Sequence, residues 1–201
     1  MAWNDRYVAR DFPWDLGGPA PVVQALAARA FGAGTADRSA RRILVPGCGR
    51  AWDVEALAAR GHTVVGLDIS PAALELARAR IAGRDLPGAV EWVVGDVLVE
   101  PGVPPAGGQG FDGWVEHTCF CALDPSLWPR YVEAAWRRLK PGGVLFGAFL
   151  DFEGGGPPYG TDAAELRDLF GDRFDIEMLE PAGMFGPRGV PQLGAICRRK
   201  R

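Results

Sequence analysis

A doubly wound α/β fold around a mostly parallel sheet is what the 201-residue sequence predicts, on three observations. Short apolar runs rich in β-branched residues alternate with helical stretches, one strand-to-helix turn carries Gly47-Cys48-Gly49, and the strand that follows ends on an acid, Asp68. Strands that read as continuous apolar runs belong to sheets covered by helices on both faces.

The elements follow in order. Residues 1–20 form an aromatic arm expected to pack onto the rest of the chain. Pro21 to Phe31 is a helix with Val22, Val23, Leu26 and Ala30 on one face. Ile43-Leu44-Val45 is a strand running into Pro46-Gly47-Cys48-Gly49, and a helix from Trp52 to Ala59 stops at Gly61. Thr63 to Asp68 is the second strand; Ser70 as N-cap and Pro71 in the first turn then open a helix reaching Ile81. Val90 to Val94 is a strand, Pro101 to Gly110 a Pro/Gly loop, Phe111 to Glu116 a strand and Pro125 to Leu139 a helix. The turn Lys140-Pro141-Gly142-Gly143 leads to strand Val144 to Leu150. Glu153 to Gly160 (EGGGPPYG) lies beyond that strand's carboxyl end, where such sheets place ligand loops. A helix over Asp162 to Phe170 precedes strands Phe174 to Leu179 and Leu193 to Cys197. With no helix between them, that last pair predicts an antiparallel hairpin at the sheet edge, and seven strands in all. No repeat or interdomain linker interrupts residues 1–201, so a single domain is expected.

Glycine and proline number 28 and 17, nearly twice their usual combined share of about 12%. The 48% apolar content and seven tryptophans point to a compact fold with glycine-rich loops rather than disorder. Twenty-two basic against 25 acidic residues give a net charge of −3, which supplies no attraction to nucleic acid or an anionic membrane. The basic ending Arg198-Arg199-Lys200-Arg201 reads as a solvated tail. No run approaches the ~20 apolar residues of a membrane span, and the early charges Asp5, Arg6, Arg10 and Asp11 leave no signal-peptide core; a cytoplasmic protein is expected. Four cysteines without a C-x-x-C pair, and two histidines, make no zinc-ligand set, so no metal is expected.

Gly47-Cys48-Gly49 lets backbone amides approach a ligand without side-chain obstruction. A dinucleotide fingerprint would need glycine where Trp52 stands, which disfavours NAD or FAD. Asp68 is placed to accept from a ribose diol, since Ser70 already fills the helix cap, and Asp96 after the third strand is placed for an adenine amino group. Cys119 and Cys121 read as buried small apolar residues rather than nucleophiles, and His62, at the opposite end of the strands, as structural.

These residues resemble the thiopurine and thiol/halide methyltransferase family. Leu44 to Gly49, Arg60-Gly61-His62 and Val64 to Ser70 are similar to its S-adenosylmethionine site. Pro13-Trp14-Asp15, Phe120 to Leu123, Leu139 to Gly143 and Gly156 to Tyr159 match its pattern in order, together spanning most of residues 3 to 181. The resemblance implies a Rossmann-like class I methyltransferase that uses S-adenosylmethionine and methylates a small-molecule acceptor, a thiol or halide, as a monomer. It implies that Trp3, Tyr7 and Trp14 close over the cofactor, Tyr7 departing from the more usual tryptophan. It also implies that Gly47, Gly49, Asp68, Ile69, Asp96 and Val97 contact the cofactor and that Phe120 and Tyr159 contact the acceptor, with the Pro181 to Pro191 stretch shaping that pocket. His117 stands where relatives carry tyrosine or arginine, facing the methyl donor as the catalytic candidate. It either takes a thiol proton, steers an anion or hydrogen-bonds the cofactor. Methyl transfer depends chiefly on placing donor and acceptor in line, about 7–11 kcal/mol, against about 3–5 kcal/mol from a general base. Methylation of another small metabolite, a non-catalytic S-adenosylmethionine-binding protein and a nicotinamide oxidoreductase are the alternatives.

Overall fold

A computed structural model describes residues 3–32, 39–99 and 110–201. Its strands are β1 (Arg42–Pro46), β2 (Thr63–Asp68), β3 (Val90–Val94), β4 (Phe111–His117), β5 (Leu139–Leu150), β6 (Phe174–Phe185) and β7 (Val190–Arg199). The helices are α1 (Trp3–Val8), α2 (Pro21–Ala30), α3 (Trp52–Ala58), α4 (Pro71–Ile81), α5 (Trp128–Arg138) and α6 (Ala163–Phe170). One sheet runs in the order β3-β2-β1-β4-β5-β7-β6. Strands β1 to β5 are parallel, and β7 is antiparallel to both neighbours. The expected antiparallel edge pair is thus the β6–β7 hairpin, with the reversed strand one place in from the edge.

Strand alternation divides the core into two layers. Ile43, Val45, Val64, Val115 and Phe146 pack with Val23 and Leu26 of α2 and Val54 and Leu57 of α3. Leu44, Val65, Trp114, Leu145 and Phe149 pack with Trp128, Tyr131 and Val132 of α5 and Leu166 and Phe170 of α6. Local chemistry starts the helices. Ser70 accepts from the Ala73 amide at 3.1 Å, and Asp162 accepts from the Ala164 and Glu165 amides, both at 2.8 Å, caps worth about 1 kcal/mol each. The strand order reverses between β1 and β4, and at such a switch point the carboxyl ends of the strands splay to leave a crevice.

Several boundaries differ from the sequence reading. Residues 3–8 of the arm are helical. The helix expected from Pro125 begins as a 3₁₀ turn, Pro125–Leu127, and ends at Arg138. Strand β5 begins at Leu139 rather than Val144, because Leu139 pairs with Phe111 before the register shifts toward Gly113. Gly143 permits that close passage, since a Cβ there would lie 2.9 Å from the Lys140 carbonyl oxygen. The hairpin extends to Phe185 and Val190, with Pro181 tolerated on the edge strand. The basic ending is not a solvated tail: Arg198 and Arg199 belong to β7, flanked on both sides. Arg198 pairs with Glu177, Arg199 donates to the Leu139 carbonyl and lies 4.6 Å over Trp136, and Lys200 donates to the Gly171 carbonyl. All of the Pro101 to Gly110 loop except Gly110 lies outside the described residues.

Candidate active site

Strand β1 delivers the glycine turn to the switch point. Gly47 and Gly49 have φ of +57° and +51°, a left-handed conformation that disfavours any side chain. A Cβ on Gly47 would lie 3.1 Å from Cys119, and one on Gly49 would lie 2.7 Å from the Tyr7 hydroxyl. The turn is therefore a cradle that only glycine leaves open. Asp68, at the end of β2, holds it: one carboxylate oxygen accepts from the Gly49 amide at 2.8 Å and the other from the Ser70 amide at 2.9 Å. Asp68 is 5% exposed, and burial raises its carboxyl above the usual range against the opposing pull of these amides. A carboxylate accepts about four hydrogen bonds, so two acceptor positions remain for a ligand's hydroxyls. Ile69 beside it is 53% exposed. Asp96 accepts from the Leu98 amide at 2.8 Å. Val97 differs from expectation, because its side chain packs into the core and its carbonyl accepts from Arg138 at 3.1 Å.

The arm lies across this turn. Tyr7 is buried, and its hydroxyl accepts from the Trp14 indole at 3.3 Å. Burial and the nearby Asp68 charge push the Tyr7 phenol well above its ordinary range, so it stays protonated. Trp3 and Trp14 meet edge to face at 5.4 Å, and the Arg6 guanidinium lies 4.4 Å over Trp14. Asp15 accepts from the Trp52 indole at 3.0 Å and the Gly17 amide at 2.7 Å. Between arm and turn lies a crevice of about 60 Å³, walled by Tyr7, Trp14, Gly47, Gly49, Asp53 and His117 among others. Trp3 buttresses Trp14.

His117 ends β4. Its Nδ1 lies 3.4 Å from one oxygen of Asp53, Oδ2, while its Nε2 is buried with no hydrogen-bond partner. The Phe185 ring, from the far end of β6, meets the imidazole edge to face at 5.6 Å, so the Pro181 to Pro191 stretch reaches the site. Asp53 itself was silent in the sequence, because an acid in the first turn of a helix is ordinary dipole complementarity. Glu116 carried a signal in being an acid within an apolar strand. It is fully buried and accepts from the Cys119 amide at 3.0 Å, the Phe120 amide at 2.8 Å and the Tyr131 hydroxyl. Burial raises the Glu116 carboxyl to about 7. Together these bonds fix the turn after His117, where Thr118 has φ of +67°.

Two expected acceptor contacts part company. Phe120 is 2% exposed and stacks on Trp128 at 4.5 Å in the aromatic core; the turn that Glu116 fixes sends its ring inward, away from the crevice. Tyr159 is half-buried against the same cluster, with its amide donating to the Cys121 carbonyl at 2.7 Å. Cys119 and Cys121 are buried, and burial raises both thiols. His62 lies at the amino end of β2, its Nδ1 accepting from the Arg41 amide at 3.3 Å. Among the described residues no cluster of histidine, cysteine and acids fits a metal ion, and no helix is long and apolar enough to cross a membrane.

A family model described as thiopurine S-methyltransferase matches residues 1–195. The chain is 35% identical over 197 residues to probable thiol methyltransferase 2 of Arabidopsis thaliana, covering 96% of this chain and 82% of that protein. It is 30% identical over 169 residues to thiocyanate methyltransferase 1 of the same plant, covering 83% and 70%. The solved structure of the N-methyltransferase NodS from Bradyrhizobium japonicum WM9 with S-adenosyl-L-homocysteine matches with a TM-score of 0.74 at 18% identity. That match covers 98% of this chain and 96% of that one, a likeness of fold.

Proposed function

The chain belongs to the thiopurine S-methyltransferase family and is an S-adenosylmethionine-dependent methyltransferase with a small-molecule acceptor, and from that premise we propose that it methylates a soft nucleophile of the thiol or halide class. The observation that carries this reading is the aromatic cover of Tyr7 and Trp14 over the glycine turn. Ring faces attract a sulfonium with about 0.5–2 kcal/mol each when desolvated, and the same rings keep water from the reacting atoms. The names of the two plant relatives, a thiol and a thiocyanate methyltransferase, support the acceptor class.

When bound, S-adenosylmethionine supplies an electrophilic methyl group on a positively charged sulfur. The chain's own residues then have separable tasks. Gly47 and Gly49 admit the ligand to the backbone, Asp68 accepts from its ribose hydroxyls, and Asp96 takes the adenine amino group with Ile69 covering the base. Val97 contributes backbone alone. Tyr7 and Trp14 cover the sulfonium, buttressed by Trp3, and residues 1–20 act as an arm that opens and recloses. That motion is required because about 60 Å³ holds one or two waters, whereas drug-sized ligands occupy about 300–1,000 Å³. His117 and Tyr159 border the acceptor, and Phe120 backs that wall from the core.

We further place residues 1–201 in one catalytic domain, acting as a cytoplasmic monomer. Four free cysteines suit a reducing compartment, and the net charge of −3 favours no nucleic acid. The test is a screen with methyl-labelled S-adenosylmethionine against alkanethiols, aromatic thiols, hydrosulfide, iodide and small phenols. Label in methyl thioethers or methyl iodide supports the reading; label only in phenol ethers, or in nothing, overturns it.

A further inference from the structure

Asp53 presents two different faces. Its Oδ1 accepts from the Ala20 amide at 3.0 Å and from the Gln24 side-chain amide at 3.1 Å, both from the start of α2. Its Oδ2 lies 3.4 Å from His117 Nδ1. The carboxylate is thus anchored through one oxygen and offers the other to the imidazole. Asp53 is 8% exposed, and both residues line the crevice. A 3.4 Å separation is long for a hydrogen bond, as such contacts often are before substrates bind.

We propose that Asp53 is a positioning residue that holds His117 as the Nδ1–H tautomer, leaving Nε2 as the base for an acceptor that arrives as a protonated thiol. This rests on the thiol branch of the function proposed above and narrows it. In a neutral imidazole one nitrogen donates and the other accepts, and a carboxylate at Nδ1 fixes which is which. The unpartnered, buried Nε2 is then the acceptor, with Phe185 against the ring limiting its rotation. In the step, the S–H bond breaks, its proton passing to Nε2 and its electron pair staying on sulfur. That sulfur bonds to the methyl carbon, and the methyl–sulfonium bond breaks with its pair left on the departing thioether. No oxidant or reductant enters. A halide brings no proton and gains nothing from such a base.

The chain has two histidines, and the second is an internal control. His62 Nδ1 accepts from the Arg41 amide, which puts its proton on Nε2, the opposite tautomer. Long-range proton–nitrogen correlation spectra of the full chain with S-adenosylhomocysteine, in mildly alkaline buffer, should show one imidazole of each kind, assigned through His62→Gln. Asp53→Asn should move His117 toward the Nε2–H form with His62 unchanged. It should also lower kcat about 10–100-fold for an alkanethiol, part of the about 10²–10⁴-fold a positioned base supplies. For an acidic aromatic thiol, already largely ionised, the loss should be smaller, and Asp53→Glu should recover part of the alkanethiol rate. A wild-type His117 carrying a proton on Nε2, as the other tautomer or as imidazolium, overturns the proposal even if Asp53→Asn does not fold. Equal losses with both thiols also overturn it. A wild type that shows the Nδ1–H form but methylates no thiol sinks the acceptor reading instead.

Discussion

The side-chain oxygen of Asn4 accepts from the Ser70 hydroxyl at 3.0 Å and from the Ala72 amide at 3.1 Å. One residue of the arm thereby satisfies a donor in the first turn of α4 and fastens the arm to the helix that begins beside Asp68. Asn4→Ala should weaken S-adenosylmethionine binding by about 3–10-fold in calorimetry, the loss of one or two hydrogen bonds at about 0.5–1.5 kcal/mol each. Amide exchange in residues 3–8 should quicken. Unaltered affinity and exchange would mean that the aromatic contacts alone hold the arm.

Gly49→Ala places a methyl group 2.7 Å from the Tyr7 hydroxyl at a φ of +51°. The left-handed backbone costs about 1–2 kcal/mol for a residue with a Cβ, and the clash pushes the arm outward. We expect cofactor affinity to fall at least about tenfold, since 1.4 kcal/mol is a factor of ten. Adding Tyr7→Phe removes the clashing oxygen and should return part of the affinity. A double variant no better than Gly49→Ala would place the damage in the turn itself.

Asp68→Ala removes the acceptor of the Gly49 and Ser70 amides as well as the proposed ribose partner. Charge-assisted hydrogen bonds at about 1.5–3 kcal/mol each predict affinity lowered about 10–100-fold. Competition between adenosine and 2′,3′-dideoxyadenosine separates the two roles: the wild type should prefer adenosine, and the variant should not. A preference retained in the variant would assign the ribose to another residue.

Glu116 gives stability a pH dependence. Its carboxyl is raised from the ordinary 4.5 to about 7, so the folded state binds its proton more tightly than the unfolded state does. The contribution is complete below pH 4.5 and is lost as pH rises through about 7. At about 1.4 kcal/mol per tenfold change in proton affinity, the loss is roughly 3 kcal/mol. Urea unfolding at pH 5 and pH 8 should show the wild type less stable at pH 8 by an amount of that order, once the variant's own pH dependence is subtracted, with Glu116→Gln nearly flat. Parallel pH profiles for the two proteins would contradict this account.

The Ser70-Pro71 start of α4 and its end at Ile81 were legible in the sequence because cap, proline and apolar spacing act within one or two turns of chain. The β3 bounds were equally legible. The α1 helix was not, since six residues cannot sustain a helix alone; its contacts with α4 and the glycine turn stabilise it. Strand β5 began early because Leu139 found Phe111, a pairing no local pattern announces.

At the site, the glycine turn and Asp68 could be read directly because a tight turn demands glycine and a strand end fixes where its last side chain lies. Phe120 could not, as the direction of its ring depends on the buried Glu116 that clamps the turn. By itself the sequence determined the order of elements, the sheet class and the residues that reach the carboxyl ends, all consequences of short-range periodicity and turn chemistry. Only the tertiary structure decided which side chains meet there: it set Asp53 beside His117 from different layers of the fold and brought Phe185 back from the distant hairpin. Burial and side-chain direction come from packing between segments far apart in the chain, and no stretch of one-dimensional pattern encodes them.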